Sequence, residues 1–108
     1  MTSEYIKDQV DRLVICELEE ANKKFPLFNS THEGYAILKE EIEEAGDDLK
    51  RIELNLSQVW DCIKKNSVIT YFQIDQIEAY AKHLACEALQ VAAMARKYRD
   101  SAGRNTYE

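Results

Sequence analysis

Two short acidic steps stand out in this sequence, because each lies beside the apolar seam of a predicted helix. The first step is Glu41-x-x-Glu44, and the second is Glu87-x-x-Gln90. Residues three apart lie about one helical turn apart on the same face of a helix. Oxygen ligands presented in this way by two facing helices commonly hold a hard divalent cation in helical bundles. The spacing therefore predicts a metal site with these ligands: Glu41, Glu44, Glu87 and Gln90.

Both steps have the same phase relative to their seams. The apolar seam of each helix follows a seven-residue repeat, lettered abcdefg, in which the seam residues occupy positions a and d. Each acidic step begins at position g of this repeat and ends at position c. One stripe therefore borders each seam: Gly34, Ile37, Glu41, Glu44 and Asp48 on one helix, and Tyr80, His83, Glu87, Gln90 and Met94 on the other. Packed helices can bring the two stripes face to face. Three carboxylates in such a cleft repel one another unless a cation lies between them, and Mg²⁺ or Mn²⁺ fits best because no thiolate or imidazole cluster competes.

A purely structural interpretation stands beside the metal site. Glutamate-rich stretches such as residues 40–44 are usually solvated helix faces. Glu87 fits that interpretation less well, because its neighbours on both sides are apolar and a buried carboxylate needs a partner. His83 is interpreted as a hydrogen-bonding neighbour of Glu87 rather than as a ligand. His32 is interpreted as a first-turn residue of its helix.

Three long amphipathic helices are predicted to position these groups, over residues 4–24, 31–64 and 73–99. The chain has only three glycines and one proline, which favours long helices with few tight turns. A tail over residues 101–108 is expected to fray. The β-branched and aromatic stretch 68–74 could form a short strand, but a lone strand has no partner, so a connection between helices is preferred.

Local signals mark where the first two helices end and begin. Pro26 stops the first helix, because proline disfavours helical backbone at the residue before it. Ser30 followed three residues later by Glu33 is a capping-box pattern that starts the second helix. The second helix then carries a seam with alternating steps of three and four: Tyr35, Leu38, Ile42, Ala45, Leu49, Ile52, Leu56, Val59 and Ile63. Such a seam, sustained over about four heptads, is typical of helices that pack along their whole length.

The length of the second helix bears on assembly. A helix of about 34 residues spans about 50 Å, whereas a compact globule of this chain length is only about 35 Å across. The helix would extend beyond a three-helix monomer and expose its seam. The simplest way to bury that seam is against a second copy of the chain. The sequence thus predicts a single all-α domain over residues 1–108. Its architecture is an antiparallel bundle of three main helices completed by formation of a homodimer or higher homo-oligomer.

Composition and charge exclude several classes of partner. The net charge is −6, with 14 basic and 20 acidic residues. This argues against binding to nucleic acids or to anionic membrane surfaces. No segment approaches the roughly 20 apolar residues of a membrane span, and no secretory signal is expected. Three widely spaced cysteines, Cys16, Cys62 and Cys86, are predicted to be reduced, buried thiols of a cytoplasmic protein.

Two segments resemble a known family. The run FNSTHEGYAILKEEIEE, which starts at Phe28, and the run EALQVAAMA, which starts at Glu87, are similar to the small MazG-like proteins. These belong to the all-α nucleoside triphosphate pyrophosphohydrolase superfamily and are often found in phages and prophages. The resemblance covers roughly residues 21–48 and 84–100.

The resemblance implies a reaction and a set of site residues. The family motif is Glu-Glu-x-x-Glu, a spacer, and Glu-x-x-Asp, whose carboxylates bind Mg²⁺ (or Mn²⁺) for hydrolysis of a nucleoside triphosphate to the monophosphate and pyrophosphate. By position, the first element falls on Glu40, Glu41 and Glu44, with Glu41 and Glu44 as the expected ligands, and the second falls on Glu87 and Gln90. The resemblance thus implies these catalytic residues: Glu40, Glu41, Glu44 and Glu87. Gln90 replaces the aspartate of the motif, and the spacer is longer than usual. The alternative is therefore a weakened or inactive helical dimer that binds a nucleotide or a protein partner.

Overall fold

The chain forms three α-helices in the computed structural model, which describes residues 2–68 and 71–102. Helix α1 spans Glu4–Lys24, α2 spans Thr31–Lys64 and α3 spans Phe72–Ala102. No β-strand occurs within the described ranges. The all-α class predicted from the sequence is confirmed.

The observed helix boundaries follow the sequence closely. The first two helices begin and end at the predicted residues, whereas α3 begins at Phe72 instead of Gln73 and continues to Ala102 instead of Arg99. The tail predicted to fray therefore contributes Ser101 and Ala102 to α3, and its remaining residues, 103–108, lie outside the described ranges. The predicted connection over 68–74 is described only in part, since residues 69 and 70 also lie outside those ranges.

Serine side chains cap the first two helices. The Ser3 hydroxyl accepts a hydrogen bond from the backbone N–H of Ile6 at 3.2 Å, and that of Ser30 accepts one from Glu33 at 3.1 Å. These bonds satisfy backbone donors that have no partner inside the helix. The Glu33 carboxylate accepts from the Asn29 backbone N–H at 3.4 Å and from the Asn29 side-chain amide at 3.1 Å. The reciprocal half of the capping pattern thus involves the residue before the cap.

Helix α3 packs against both other helices, and α1 has no close backbone contact with α2. Helices α2 and α3 run antiparallel, because Gly34 near the start of α2 meets Tyr98 near the end of α3, while Asp48 pairs with His83 near the middle of both. The molecule measures 61 × 31 × 22 Å and has a radius of gyration of 18.2 Å. A compact domain of this length has a radius of gyration of about 13 Å. The single chain is therefore strongly elongated.

Phe28 anchors the link between α1 and α2 to the end of α3. Only 3% of this residue is exposed, and its backbone N–H donates to the Ser101 hydroxyl at 2.9 Å. The Lys97 ammonium lies 4.8 Å from the centre of the Phe28 ring, within the range of a cation–π contact. Burial lowers the pKa of Lys97, and the nearby Glu33 carboxylate opposes that shift. These contacts fix the start of α2 relative to the end of α3.

Gly34 lies where the chain permits no larger side chain. A Cβ atom there would lie 2.6 Å from the Tyr98 ring and 3.0 Å from the Phe28 ring. Because rigid aromatic rings cannot move aside easily, we expect Gly34→Ala to reduce the free energy of unfolding by about 1–3 kcal/mol. Gly46→Ala is the matched control, because a Cβ there meets nothing within 4 Å.

The control should leave stability unchanged or raise it by up to about 1 kcal/mol, since alanine is the better helix former. Urea denaturation followed by circular dichroism measures both variants. Equal stability of the two alanine variants would contradict the close packing at Gly34.

Candidate metal site between α2 and α3

The antiparallel pair α2 and α3 brings three glutamates together. Glu41 and Glu44 lie one turn apart on α2, and Glu87 faces them from α3. One carboxylate oxygen from each residue lies within 4.8 Å of the other two. Cis and trans ligand oxygens around Mg²⁺ are separated by about 3–4 Å, given metal–oxygen distances near 2.1 Å. Small side-chain adjustments would therefore suffice for all three to bind one ion.

Burial leaves two oxygens of this trio without protein partners. Glu87 is only 9% exposed and Glu41 is half-buried, whereas Glu44 is exposed. Within the described part of the chain, Oε2 of Glu41 and Oε2 of Glu87 are buried and accept no hydrogen bond. A buried carboxylate oxygen with no donor is costly, and native proteins usually satisfy such groups with water or an ion. The site therefore presents acceptors that the protein itself does not satisfy.

The carboxylates also disfavour one another's charge. Burial raises the pKa of Glu41, and the neighbouring carboxylates Glu44 and Glu87 raise it further. The pKa of Glu44 is raised first by a hydrogen bond with Glu87, then by burial and by the Glu87 charge, while His83 opposes the shift. Both shifts indicate that the trio holds negative charge at a cost. A divalent cation would reverse this situation, because it favours the ionised form of every ligand.

Gln90, the fourth predicted ligand, borders an adjoining cleft. This cleft has a volume of about 400 Å³ and includes Glu41, so it opens directly beside the trio. Its other lining residues come from α1 and α3: Glu17, Glu20, Ala21, Lys24 and Met94. Glu40, to which the family resemblance assigns a catalytic role, is exposed and does not belong to the trio.

A pair that the sequence analysis did not identify adjoins the trio. Asp48 is 1% exposed, and its Oδ2 lies 2.6 Å from Nδ1 of His83. The other ring nitrogen, Nε2, lies 3.6 Å from Oε1 of Glu87. His83 is thus a neighbour of Glu87, but the hydrogen bond predicted between them is absent at 3.6 Å, and the imidazole is hydrogen-bonded to Asp48 instead. The signal was present, since both residues belong to the two facing stripes.

Asp48 and Glu87 together act on the imidazole. The hydrogen bond and charge of Asp48 raise the pKa of His83, and the Glu87 charge adds to this, while Arg51 opposes it. Arg51 also reaches Asp48, with Nη1 3.5 Å from Oδ1, and its guanidinium lies 5.7 Å from the centre of the Tyr80 ring. The imidazole therefore bridges two acidic side chains on different helices.

The remaining candidate residues lie apart from the trio. His32 is exposed in the first turn of α2, as expected. Cys16, Cys62 and Cys86 are free thiols, but the burial predicted for them is wrong for two of the three. Cys16 and Cys86 are exposed, and Cys62 is half-buried. The general tendency of free cysteines to be buried therefore did not predict their burial in this chain.

These observations define an all-helical chain with a three-carboxylate cluster between two antiparallel helices. Comparison with known proteins adds no relative: no family model, no curated protein sequence and no solved structure matches the chain significantly. Among the described helices, none combines the length and the apolar character needed to cross a membrane.

Proposed function

We propose that this protein is a Mg²⁺-dependent nucleoside triphosphate pyrophosphohydrolase, which hydrolyses a (deoxy)nucleoside triphosphate to the monophosphate and pyrophosphate. The observation that carries the proposal is Glu87, whose buried carboxylate has an oxygen without a partner and meets Glu41 and Glu44. The reaction itself is suggested by the resemblance to phage-type MazG-like proteins. Unpaired cysteines favour a cytoplasmic location.

Each residue of the trio has a role in this proposal. Glu41, Glu44 and Glu87 would hold the ion, with Mn²⁺ as a substitute for Mg²⁺. A bound divalent cation polarises phosphoryl oxygens and lowers the pKa of a bound water. The exposed Glu40 lies beside Glu41 in sequence, on the solvent side, where a carboxylate can accept a proton from water.

The cleft beside the trio is the proposed position of the nucleotide. Its volume of about 400 Å³ falls within the usual range for small-molecule sites. Glu17, Glu20 and Glu41 make this cleft acidic, and Lys24 is the one cation among its lining residues. A free triphosphate would be repelled there, so the substrate would enter as a metal complex. The side-chain oxygen of Gln90, at the edge of this cleft, would serve as a neutral fourth ligand to the ion.

A screen of nucleoside triphosphates with Mg²⁺ and with Mn²⁺ tests the function, with pyrophosphate as the measured product. The variant Gln90→Asp is assayed alongside, because it restores the acidic residue of the family motif. We expect pyrophosphate release that needs the metal and increases in the variant, since a fourth carboxylate holds a cation more tightly. No pyrophosphate from either protein, across all common nucleotides, would refute the enzymatic proposal.

The second candidate function is a non-catalytic helical dimer that binds a nucleotide or a protein partner. Gln90 favours it, because a neutral amide at this position weakens metal binding relative to an aspartate. This candidate predicts no turnover and predicts that Glu41→Ala leaves association unchanged. It also predicts that Gln90→Asp gains no activity, which separates the two candidates in the screen above.

Both candidates include a homodimer that completes the helical bundle. Five seam residues of α2, spaced seven positions apart in the sequence, are exposed in the single chain, with exposed fractions of 46–63%: Tyr35, Ile42, Leu49, Leu56 and Ile63. Only Phe28 and Ala93 are buried apolar residues within the described ranges. A row of exposed apolar side chains at heptad spacing suits a second helix. A second copy of α2 would supply one with the same spacing.

A charge placed at the centre of this row tests the dimer. We expect Leu49→Lys to dissociate it, because the lysine would bury a charge without a partner at the interface. Gln58→Lys, at an exposed residue about 200° around the helix from Leu56, should leave the dimer intact. Light scattering coupled to size exclusion gives the mass. A monomeric wild-type chain, or a Leu49→Lys dimer as tight as wild type, would refute this interface.

A further inference from the structure

The buried carboxylate of Asp48 has no role in the proposed metal site, yet it is the largest fully buried side chain in the described ranges. An isolated buried carboxylate is strongly unfavourable unless it is paired and hydrogen-bonded. Asp48 meets this requirement through His83 at 2.6 Å and the more distant Arg51 at 3.5 Å. Its shortest contact therefore crosses from α2 to α3, at the level of the carboxylate trio.

His83 connects this buried carboxylate to Glu87. The imidazole is planar and rigid, so a hydrogen bond at Nδ1 fixes the direction in which Nε2 points. Nε2 then lies 3.6 Å from Oε1 of Glu87, one helical turn further along α3. The other oxygen of the same carboxylate, Oε2, is the one without a partner. The imidazole thus lies against one oxygen of Glu87 and leaves the other available.

We propose that Asp48 and His83 are positioning residues for Glu87: Asp48 orients the imidazole, and the imidazole holds the Glu87 carboxylate toward Glu41 and Glu44. This inference rests on the proposed metal site. His83 itself does not join the group of ligand atoms that lie within 4.8 Å of one another. Partners behind a ligand orient it and limit its freedom, and their loss typically reduces metal affinity by about 10–100-fold.

A simpler role for the contact between His83 and Asp48 is to link α2 and α3 and so stabilise the fold, with no effect on the metal site. Two substitutions of His83 separate the two roles, because each retains one end of the bridge. The amide nitrogen of asparagine occupies nearly the position of Nδ1, and that of glutamine occupies nearly the position of Nε2. His83→Asn therefore keeps a donor for Asp48 and loses the contact with Glu87, whereas His83→Gln keeps a donor toward Glu87.

The experiment measures Mn²⁺ binding by the electron paramagnetic resonance signal of the free ion, and thermal unfolding in EDTA for each protein. We expect His83→Asn to bind Mn²⁺ about 10-fold or more weakly than wild type at a temperature where both proteins remain folded in EDTA. His83→Gln should bind Mn²⁺ more tightly than His83→Asn. Lys82→Gln, at an exposed neighbour whose side chain is 77% exposed, is the control and should match wild type.

Two results would overturn the inference, and they are distinguishable. If wild type binds Mn²⁺ and His83→Asn binds it equally well, the bridge is only a tie between helices, and the proposed function is untouched. If wild type binds no Mn²⁺, the metal site and the positioning role fail together. Reduced Mn²⁺ affinity in His83→Asn with partial recovery in His83→Gln supports the inference, because a tie needed only for folding would not produce that order.

Discussion

Replacement of Glu87 by glutamine should reduce the proposed Mg²⁺-dependent release of pyrophosphate by roughly a hundredfold or more. Glutamine keeps the size of the side chain and removes the charge of the most buried member of the trio. A catalytic metal contributes several kcal/mol to stabilisation of the transition state, and each 1.4 kcal/mol corresponds to about a tenfold change in rate. The measurement is steady-state pyrophosphate formation on the best nucleotide from the screen.

The matched control is Glu43→Gln. Glu43 belongs to the same acidic run on α2 but lies outside the trio, and its carboxylate pairs with Lys39 at 2.9 Å on the exposed face. The control loses the same charge and should change the rate by less than about twofold, because exposed ion pairs contribute little. Equal losses in the two variants would show that general acidity, rather than the trio, governs the activity.

Glu40 deserves a separate measurement, because the resemblance and the geometry assign it different importance. The family motif includes it, yet the structure leaves it exposed and outside the group of three. The rate of Glu40→Gln should be compared with those of Glu43→Gln and Glu87→Gln. A loss as large as that of Glu87→Gln would show that Glu40 takes part in turnover, and a rate like that of Glu43→Gln would show that it does not.

Without metal, the protein should become less stable as the pH rises from about 5 to 8, and Mg²⁺ should abolish much of that loss. The pKa values of Glu41 and Glu44 are raised above the ordinary 4.5 in the folded chain. The folded state therefore binds more protons than the unfolded state once the pH exceeds 4.5. Stability then decreases with pH until the folded carboxyls have ionised.

His83 changes stability in the same direction at higher pH. Its pKa is raised above the ordinary 6.5 by Asp48 and Glu87. Its stabilising contribution is complete below 6.5 and is lost as the pH rises through the folded value. Glu41, Glu44 and His83 thus all favour the folded state at lower pH. The carboxyl groups act in the pH range above 4.5, and the imidazole acts in the range above 6.5.

Metal binding should counteract the carboxylate part of this dependence. An ion that binds only the folded state stabilises it by about 2.7 kcal/mol when its concentration is a hundred times its dissociation constant. Urea titrations at fixed protein concentration, from pH 5 to 8 with EDTA or with Mg²⁺, measure the effect. Glu41→Gln combined with Glu44→Gln should flatten the carboxylate part of the curve in EDTA, leave the part due to His83, and remove the response to Mg²⁺. A wild-type curve that rises with pH would contradict the mutual repulsion of the trio.

Local signals in the sequence were sufficient for much of the fold. Ser30 and Glu33 define the start of α2, and Pro26 the end of α1, because caps and proline act through the backbone of a few adjacent residues. Heptad phase also placed Glu41, Glu44 and Glu87 on facing stripes, and the structure brings them together. Both kinds of inference depend on short-range geometry.

Other features depend on how deeply each stripe packs, which periodicity does not specify. Asp48 and Glu44 lie on the same stripe, yet Asp48 is buried and Glu44 is exposed. Asp48 meets His83 of α3 at 2.6 Å, and the sequence alone does not give the rotamers that make this contact. Periodicity likewise did not predict that Cys16 and Cys86 are exposed. A chain whose seam is only partly covered buries few residues of any type.

The elongated outline, 61 Å long and 22 Å thin, affects how the particle moves through solution. Translational friction rises with asymmetry, so a single chain of 12.5 kDa diffuses more slowly than a sphere of equal mass. On a column calibrated with round standards, a lone copy would elute early and mimic a heavier species. Sedimentation velocity would distinguish a single elongated chain from a dimer, because two such chains packed side by side have a lower frictional ratio than one alone.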